Sequence, residues 1–189
     1  MADEFLPREC SLYFHDPGLQ DWSQESYVKI TDISTVGDFA SAAASLTPDI
    51  VRLGMFFLMR EGVMPTWDDP HNIDGGCYSI RVIGDDIHRT FLALCFDVCA
   101  GEVISEGAEA REGLESLVTG VSVSPKNNFS VVKVWTSARV PEDPVPWRMQ
   151  ALQAETMFKL NRAQQESATA SAPSRGGSRH GGGRPPGHK

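Results

Sequence analysis

The sequence lacks the features of membrane, secreted and nucleic-acid-coating proteins. No apolar run approaches the length of a membrane-spanning helix, and the acidic start MADEFLPREC has no apolar core of a signal peptide. Lys and Arg number 17 against 25 Asp and Glu, which gives a net charge of −8. Because binding along nucleic acid depends on many phosphate contacts, this balance argues against a protein that coats long RNA or DNA. It is compatible with a small site for one nucleotide, in a cytoplasmic protein or one that is also nuclear.

The four cysteines are too few and too scattered to predict a disulfide framework. Cys10, Cys77, Cys95 and Cys99 lie in apolar or strand-like contexts, and without a secretory signal they are expected to be reduced thiols. Cys95 and Cys99 are four residues apart on a predicted helix, but no second pair of ligands accompanies them. Buried thiols are therefore favoured over a metal site, and no cofactor is predicted.

The length of 189 residues fits one domain followed by an extension. We assign residues 1–165 to the domain and residues 166–189 to a disordered tail. From Ser167 onward the chain consists mainly of Ser, Ala, Gly, Pro and His with four basic residues and no acids. Such a composition cannot bury apolar surface, so the tail is either a solvated linker or a contact for RNA or protein.

Apolar runs and alternation predict strands along most of the chain. They cover Leu12–Phe14 (ended by the turn signal His15–Gly18), Tyr27–Ile33, Met55–Met59, a strand that starts at Gly76 and alternates over Tyr78–Ile83, Leu117–Val123 and Ser130–Ser137. Helical periodicity predicts helices over Thr35–Leu46, Asp85–Glu102 and Trp147–Arg162, the last with Met149, Leu152, Met157 and Leu160 available for packing. This order predicts an α+β fold, a single curved antiparallel sheet with helices packed on its convex back.

The loop before Gly76 combines an indole with carboxylates. Trp67 is followed at once by Asp68 and Asp69 in a segment rich in Pro, Asn and Gly. An aromatic face beside a carboxylate suits a flat, positively charged ligand that donates hydrogen bonds. The alternative is a core Trp beside a solvated Asp-Asp turn. Trp22, in the polar stretch LQDWSQES, is likewise either an accessible aromatic or a side chain folded back on the core.

The last two predicted strands are joined by the turn Ser124–Asn128. In the second of them, Val131, Lys133, Trp135 and Ser137 project to one side. A Lys two residues from a Trp on one face is unusual for a strand that only covers a core. We therefore expect this face to line a cleft.

Several segments, taken in order, resemble the eukaryotic translation initiation factor 4E family, which binds the 7-methylguanosine cap of messenger RNA. The matching segments are SLYF (Ser11–Phe14), Trp22, VGDF (Val36–Phe39), MPTWDD (Met64–Asp69), Gly75–Gly76 and VVKVWTS (Val131–Ser137). They follow the family's order and nearly its spacing, whereas the C-terminal quarter resembles it poorly. The resemblance implies a non-enzymatic cap-binding protein of translation initiation, with the cap pocket on the concave face of the sheet.

The resemblance also implies how the cap would be held. Methylation at N7 makes guanine positively charged, so indole faces above and below it, those of Trp22 and Trp67, gain stacking and cation–π energy. Asp68, where the family usually has the longer Glu, would accept hydrogen bonds from N1–H and N2–H. The backbone N–H of Trp67 would serve O6, and Trp135 would pack against the methyl group.

Basic residues are implied for the triphosphate of the cap. Lys126 takes the place of the family's Arg in the hairpin, whereas Val131 stands where the family has a second phosphate-binding Lys. Lys133 faces the same way and is the predicted substitute, with Arg139 and Arg148 behind it.

The helical back of the family binds the helical motif of a 4G-type initiation scaffold or of other binding proteins. Val36, Phe39, Ala40 and Leu92 are the corresponding partner-binding residues here. The family's anchoring Trp follows the VGDF-like residues, and this chain has Ala40 in that position. A repressor or specialised isoform that holds capped RNA without recruiting the usual scaffold is therefore an alternative function.

A small metal-dependent hydrolase that uses Asp68, Asp69 and His71 is the remaining alternative. The WDDPH segment lacks ligand spacing on a regular element. No nucleophile motif or Gly-rich phosphate loop accompanies it, so this alternative is disfavoured.

Overall fold

The computed structural model describes residues 4–105, 111–141 and 144–161. The strands are β1 (Phe5–His15), β2 (Val28–Thr35), β3 (Met55–Arg60), β4 (Gly76–Val82), β5 (Val118–Pro125), β6 (Ser130–Thr136) and β7 (Met157–Leu160). The α-helices are α1 (Val36–Ser45), α2 (Pro48–Leu53), α3 (Asp86–Ala100), α4 (Arg111–Leu117) and α5 (Gln150–Glu155). The predicted tail and its boundary at residue 165 lie outside the described residues. Within these ranges, every helix is too short or too polar to cross a membrane.

All seven strands form one antiparallel sheet in the order β2-β1-β3-β5-β6-β4-β7. A single row of facing residues crosses six of them: Leu12, Leu58, Val121, Val134, Tyr78 and Phe158. The members of this row are buried or packed against the main core, so the register places one apolar row under the helices. The predicted α+β fold with a single curved antiparallel sheet is confirmed.

Alternation along the strands divides the sheet into two faces. In β3, Phe56 and Leu58 belong to the large core cluster, whereas Phe57 and Met59 belong to a smaller cluster that also contains Trp135. The large cluster includes the buried stripe of α3: Ile87, Phe91, Leu94, Cys95, Val98 and Cys99. The helices therefore pack on the first face, and the smaller cluster supports the opposite one.

The first helix begins where the sequence predicts. The Thr35 hydroxyl accepts a hydrogen bond from the Asp38 N–H at 3.1 Å, and the Asp38 carboxylate accepts one from the Thr35 N–H at 2.9 Å. This reciprocal capping box satisfies two N–H groups that the first turn of a helix leaves unpaired. Thr47 and Pro48 separate α1 from α2. The Thr47 hydroxyl accepts a hydrogen bond from the Ile50 N–H at 3.4 Å, and Pro48 occupies the first turn of α2.

The prediction of a helix over Trp147–Arg162 is wrong for the second half of that segment. Helix α5 is short, and the chain then extends as β7 along the edge of β4. Phe158 faces Tyr78 across this pair, with ring centres 4.6 Å apart. Met157 and Leu160 are exposed rather than packed as on the predicted helix. Pairing with the β4 edge thus overrides the helical periodicity of the segment.

Candidate functional site

A cavity of about 450 Å³ opens on the face of the sheet opposite the helices. Five of the residues singled out in the sequence line it: Trp22, Trp67, Lys126, Lys133 and Trp135. Tyr27, Met55, Phe57 and Pro65 add aromatic and apolar lining between them. The fold therefore brings together side chains from the loop after β1, the loop after β3 and the β5–β6 hairpin.

Trp135 is held rigidly at the base of this cavity. It is buried on β6, and its indole Nε1 donates a hydrogen bond to the Ser122 hydroxyl of β5 at 2.9 Å. Its indole and the Phe57 ring of β3 meet in an edge-to-face arrangement, with ring centres 6.3 Å apart. Contacts from β5 and from β3 therefore fix the plane of the indole.

The loop that carries Trp67 is folded around a buried carboxylate. Asp69 accepts hydrogen bonds from the backbone N–H of Met64 at 3.0 Å and from that of His71 at 2.8 Å. Its Oδ1 also lies 3.0 Å from the His71 ring Nδ1. Because the buried Asp69 carboxylate accepts the N–H groups on the inner side of the loop, Trp67 and the exposed Asp68 lie on its outer side.

Asn72 anchors the same loop to distant parts of the chain, which sequence reasoning missed. Its side-chain amide is fully buried and donates to the carbonyls of Met64 at 3.0 Å and Thr66 at 2.9 Å. Its side-chain oxygen accepts from the Thr119 hydroxyl at 2.8 Å, and its backbone carbonyl accepts from the Asn161 amide at 2.7 Å. The position of the loop therefore depends on β5 and on the residue that follows β7.

Trp22 is half-exposed at the rim of the cavity, so it does not fold back into the core. One face of its indole stacks on the imidazole of His15, with ring centres 4.3 Å apart and planes 5° apart. The assignment of His15 to a turn is wrong. It is the last residue of β1 and is completely buried, and the turn begins at Asp16.

Asp68 is not among the residues that line the cavity, but it lies close to one of them. Burial raises the pKa of Tyr27 above its usual range, and the negative charge of Asp68 raises it further. Tyr27 lines the cavity. Asp68 also follows Trp67 directly in the chain, so its exposed carboxylate belongs to the loop that forms one wall of the cavity.

The two lysines belong to one hairpin. The backbone N–H of Lys126 donates to the Phe129 carbonyl at 2.8 Å and closes the turn between β5 and β6. Lys133 is on β6, between Ser122 of β5 and Ser79 of β4. Among the residues described, neither lysine forms an ion pair with an acidic side chain. Both charges therefore face the cavity without a nearby carboxylate partner.

Arg139 and Arg148 are not among the residues that line the cavity. The Arg139 guanidinium lies 5.5 Å from the centre of the Phe158 ring. Arg148 forms ion pairs with Glu102 and, at 3.4 Å, with Asp97, which belongs to α3. The structure therefore does not support placing these two arginines behind Lys133.

Comparison with known proteins identifies the family. Residues 6–167 match the family model described as eukaryotic initiation factor 4E. The chain belongs to the eukaryotic initiation factor 4E family. Eukaryotic translation initiation factor 4E-2 of Schizosaccharomyces pombe is 26% identical over 140 residues, which covers 69% of this chain and 53% of that protein. The chain thus spans about half the length of this curated relative.

Solved structures of initiation factor 4E share the fold. The schistosome protein, in a complex with m7GpppA and 4E-BP, has a TM-score of 0.72 at 20% identity, covering 88% of this chain and 92% of its own. Caenorhabditis elegans eIF4E-3, with the 4E-binding protein Mextli and a cap analog, gives 0.71 at 16% identity over 87% and 96% of the two chains. Ascaris suum eIF4E-3 with an m2,2,7G cap gives 0.63 at 17% identity over 90% and 86%.

The hydrolase alternative finds no geometric support in this member of the 4E family. Asp69 is committed to hydrogen bonds within its loop. In the described ranges, no group of three or more His, Cys, Asp or Glu side chains could hold a metal ion. The four cysteines are buried thiols.

The helical back of this 4E-family chain carries a partly exposed apolar surface. Val36 and Ala40 are exposed on α1, and Leu92 is half-buried on α3. Phe39 meets Phe96 edge to face, with ring centres 5.3 Å apart, and Phe96 is 40% exposed. Sequence reasoning missed Phe96, although its position four residues after Leu92 places it on the same helix face.

Proposed function

We propose that this chain binds the 7-methylguanosine cap of messenger RNA in translation initiation, as a binding protein and not as an enzyme. The observation that carries the proposal is the lining of one cavity by three indoles and two lysines: Trp22, Trp67, Trp135, Lys126 and Lys133. Indoles select a flat cationic ring, and lysines select the phosphates attached to it. Membership of the 4E family and the cap-bound state of similar folds support the same assignment.

The base is proposed to stack between Trp22 and Trp67. His15 covers one face of the Trp22 indole, so the other face is the one that receives the ligand. Two stacks worth about 1–3 kcal/mol each, together with a charged hydrogen-bonded pair of similar size, correspond to roughly micromolar affinity.

The Watson–Crick edge of guanine is proposed to face Asp68. A carboxylate accepts N1–H and N2–H as a charge-assisted pair, which neither adenine nor a pyrimidine matches. The backbone N–H of Trp67 would donate to O6, and Trp135 would contact the methyl group from the base of the cavity. The Asp68 side chain is one methylene shorter than Glu, so the loop must close toward the base by a compensating distance.

The triphosphate is proposed to follow the β5–β6 hairpin past Lys133 and Lys126. Both charges line the cavity, whereas Val131 between them adds only apolar surface. A ligand with several phosphates therefore gains attraction that falls with ionic strength.

The apolar back of the sheet is proposed to bind a helical motif from a 4G-type scaffold or from another 4E-binding protein. Similar folds were solved in complexes with 4E-BP and with Mextli. Ala40 is exposed beside Val36 and Phe39 and provides little surface for a partner. This favours a second candidate function, a repressor or specialised isoform that holds capped RNA without the usual scaffold.

Titration with the cap analogue m7GpppG, followed by tryptophan fluorescence, tests cap binding. Trp67→Ala and Trp22→Ala are each expected to lower the affinity by about 1–3 kcal/mol, because each removes one stack. Unmethylated GTP is expected to bind much more weakly than the methylated ligand.

Phe5→Ala is the matched control, since it removes an exposed aromatic from the far end of β1. It should leave the affinity unchanged. Wild-type affinity in both Trp variants, or equal binding of GTP and m7GpppG, would overturn the assignment of the cavity.

A further inference from the structure

Arg81 lies on the cavity face of β4, next to the strand that carries Lys133. Its neighbours Ile80 and Val82 belong to the core cluster under the helices, so alternation turns Arg81 to the opposite face. Across the β4–β6 pair, Arg81 is directly opposite Val131, which lines the cavity. Directly opposed residues of an antiparallel pair project on one face, with Cβ atoms about 5 Å apart. The Arg81 side chain therefore starts one strand away from the cavity wall.

Val131 leaves a gap in the positive charges along the β5–β6 hairpin. Lys126 at the turn and Lys133 on β6 line the cavity on either side of Val131, which carries no charge. Ser124, the partner of Val131 on β5, is also uncharged. The partner of Val131 on the other side is Arg81. In the row of Ser124, Val131 and Arg81, the cationic side chain is therefore on β4.

The Arg81 guanidinium lies over the ring of Phe129, with its Cζ 4.0 Å from the ring centre. Phe129 is part of the β5–β6 turn, where its carbonyl accepts the Lys126 N–H at 2.8 Å. The cation–π contact thus brings a positive charge from β4 to the hairpin. A contact of this kind does not use the five N–H donors of a guanidinium as a hydrogen bond would, so they remain for another acceptor.

The charge of Arg81 is available to a ligand. The residue is exposed, and within the described ranges no carboxylate forms an ion pair with it. The two acids that follow it in the chain already have cationic partners. Asp85 pairs with Arg52 at 2.5 Å, and Asp86 pairs with Arg89 at 2.7 Å.

We propose that Arg81 is a phosphate-binding residue of the cavity, which supplies from β4 the positive charge that Val131 does not supply from β6. This inference rests on the proposed cap-binding function, since the phosphates are those of the cap. A guanidinium can give one phosphate two parallel hydrogen bonds, which makes Arg a strong partner for this group. Sequence reasoning missed Arg81 because the register that pairs β4 with β6 is not contained in either local pattern.

The position of Arg81 along the sheet predicts which phosphates it contacts. Trp135, Lys133 and Val131 follow one another on the cavity face of β6 in steps of two residues, or roughly 7 Å. The base is proposed to lie against Trp135, so the phosphate next to the nucleoside is nearest Lys133. The row of Val131 and Arg81 is one step farther from the base. The contribution of Arg81 should therefore appear with the outer phosphates.

Titrations of 7-methylguanosine monophosphate (m7GMP) and triphosphate (m7GTP) at one pH and one salt concentration separate the inner phosphate from the outer ones. Arg81→Ala is expected to lower the affinity for m7GTP about fivefold, the upper range for an exposed ion pair. It should leave the affinity for m7GMP within about twofold of wild type, since that ligand does not reach the second row. A variant with a distorted cavity would lose affinity for both ligands, so the comparison controls for folding.

Arg89→Ala is the matched control, since it removes an exposed arginine charge from α3, on the other face of the sheet. It should leave the affinities for both ligands unchanged. Val131→Lys in the Arg81→Ala background should restore the affinity for m7GTP to that of wild type, because it returns a cation to the same row from β6.

Three outcomes would each overturn the role of Arg81. They are an unchanged affinity for m7GTP in Arg81→Ala, an equal loss for m7GMP and m7GTP, and no recovery with Val131→Lys. If wild type binds neither ligand, the proposed function of the cavity fails instead.

Discussion

The indole of Trp135 and the hydroxyl of Ser122 form a buried hydrogen bond across the β5–β6 pair, with 2.9 Å between Nε1 and Oγ. Both side chains line the cavity. The bond orients the indole that forms the base of the site. Because this hydrogen bond is internal to the sheet, its contribution to the free energy of unfolding can be measured without a ligand.

Ser122→Ala is expected to lower the free energy of unfolding by about 1–3 kcal/mol, because it leaves the Trp135 N–H buried without an acceptor. Urea denaturation measures the change. In a Trp135→Phe background the same Ser change should cost much less, since no donor remains to be left unpaired. An equal cost in both backgrounds would show that the hydrogen bond is not what Ser122 contributes.

Lys126→Ala and Lys133→Ala are each expected to weaken cap binding and to reduce its dependence on salt. Each removes a charge that lines the cavity and that faces the proposed phosphates. The slope of log affinity against log salt concentration measures the effect. Lys29→Ala is the control, since Lys29 pairs with Asp32 on β2 and does not line the cavity. An unchanged slope in the double variant would exclude the hairpin as the phosphate site.

Ala40→Trp is expected to increase the affinity for a helical peptide with the family's binding motif. The added indole would supply apolar area and an N–H donor beside Val36 and Phe39, and Trp anchors contribute strongly to interfaces. Calorimetry with wild type and variant measures the gain, and Phe96→Ala in the Ala40→Trp background should reduce it. Tight binding by wild type without improvement in the variant would show that the surface does not depend on position 40.

Asp97 should make the stability of the protein depend on pH. Burial raises the pKa of this carboxyl to about 6, although Arg148 opposes the shift. Because the pKa is higher in the folded state, Asp97 contributes to the free energy of unfolding in its protonated form. This contribution is fully present below the unfolded pKa of about 4 and is lost as the pH rises through about 6. Stability should therefore decline over this window.

Asp97→Asn should remove this component. At pH 7.5 its free energy of unfolding should be equal to that of wild type or higher by about 1 kcal/mol, because the half-buried charge is gone and Arg148 retains Glu102. Denaturant melts between pH 4 and 7.5 measure both profiles. A variant that is less stable than wild type at pH 7.5 and equally dependent on pH would contradict the assignment.

Local patterns in the sequence predicted the elements that depend on local chemistry. The helix predicted over Thr35–Leu46 is found as α1, which Thr35 and Asp38 cap within four residues, and the alternation of Lys133 and Trp135 assigned both to one face of β6. Period and capping suffice in such cases, since each residue is near its partner along the chain or projects by simple geometry. The resemblance to the 4E family, carried by short segments in the right order, is confirmed by the family match.

What the sequence could not predict depends on partners far along the chain. Arg148 forms an ion pair with Glu102, and the second half of the helix predicted over Trp147–Arg162 contains β7 instead, because β4 offers an edge for pairing. The local pattern assigned His15 to a turn, whereas in the structure β1 extends through His15 and the Trp22 indole stacks on its ring. These outcomes follow from packing between elements, which periodicity within one element does not contain.

Asn161→Ala is expected to lower cap affinity without a change at any residue that lines the cavity. The variant removes the Asn161 amide that donates to the buried Asn72 carbonyl at 2.7 Å, although that carbonyl still accepts from the Gly75 N–H at 2.9 Å. The loop of Trp67 therefore loses one of its hydrogen bonds to the residue after β7. Cap titration together with a urea melt measures the effect. Gln150→Ala, at an exposed position of α5 outside the cavity lining, is the control. Wild-type affinity in a folded Asn161 variant would show that the loop holds its shape without this contact.

The hydrogen bond between the Asn161 amide and the Asn72 carbonyl joins residues 89 positions apart in the chain. During synthesis, Trp22 and Trp67 leave the ribosome early, and the strands that support them can begin to pair as they emerge. Among the described residues, Asn161 is the last along the chain to give the loop of Trp67 a hydrogen bond, which can form only when residue 161 has also been released. A nascent chain stalled before that point would carry every cavity-lining side chain and still lack a finished ligand site, so the order of translation itself delays the competence of the protein to bind.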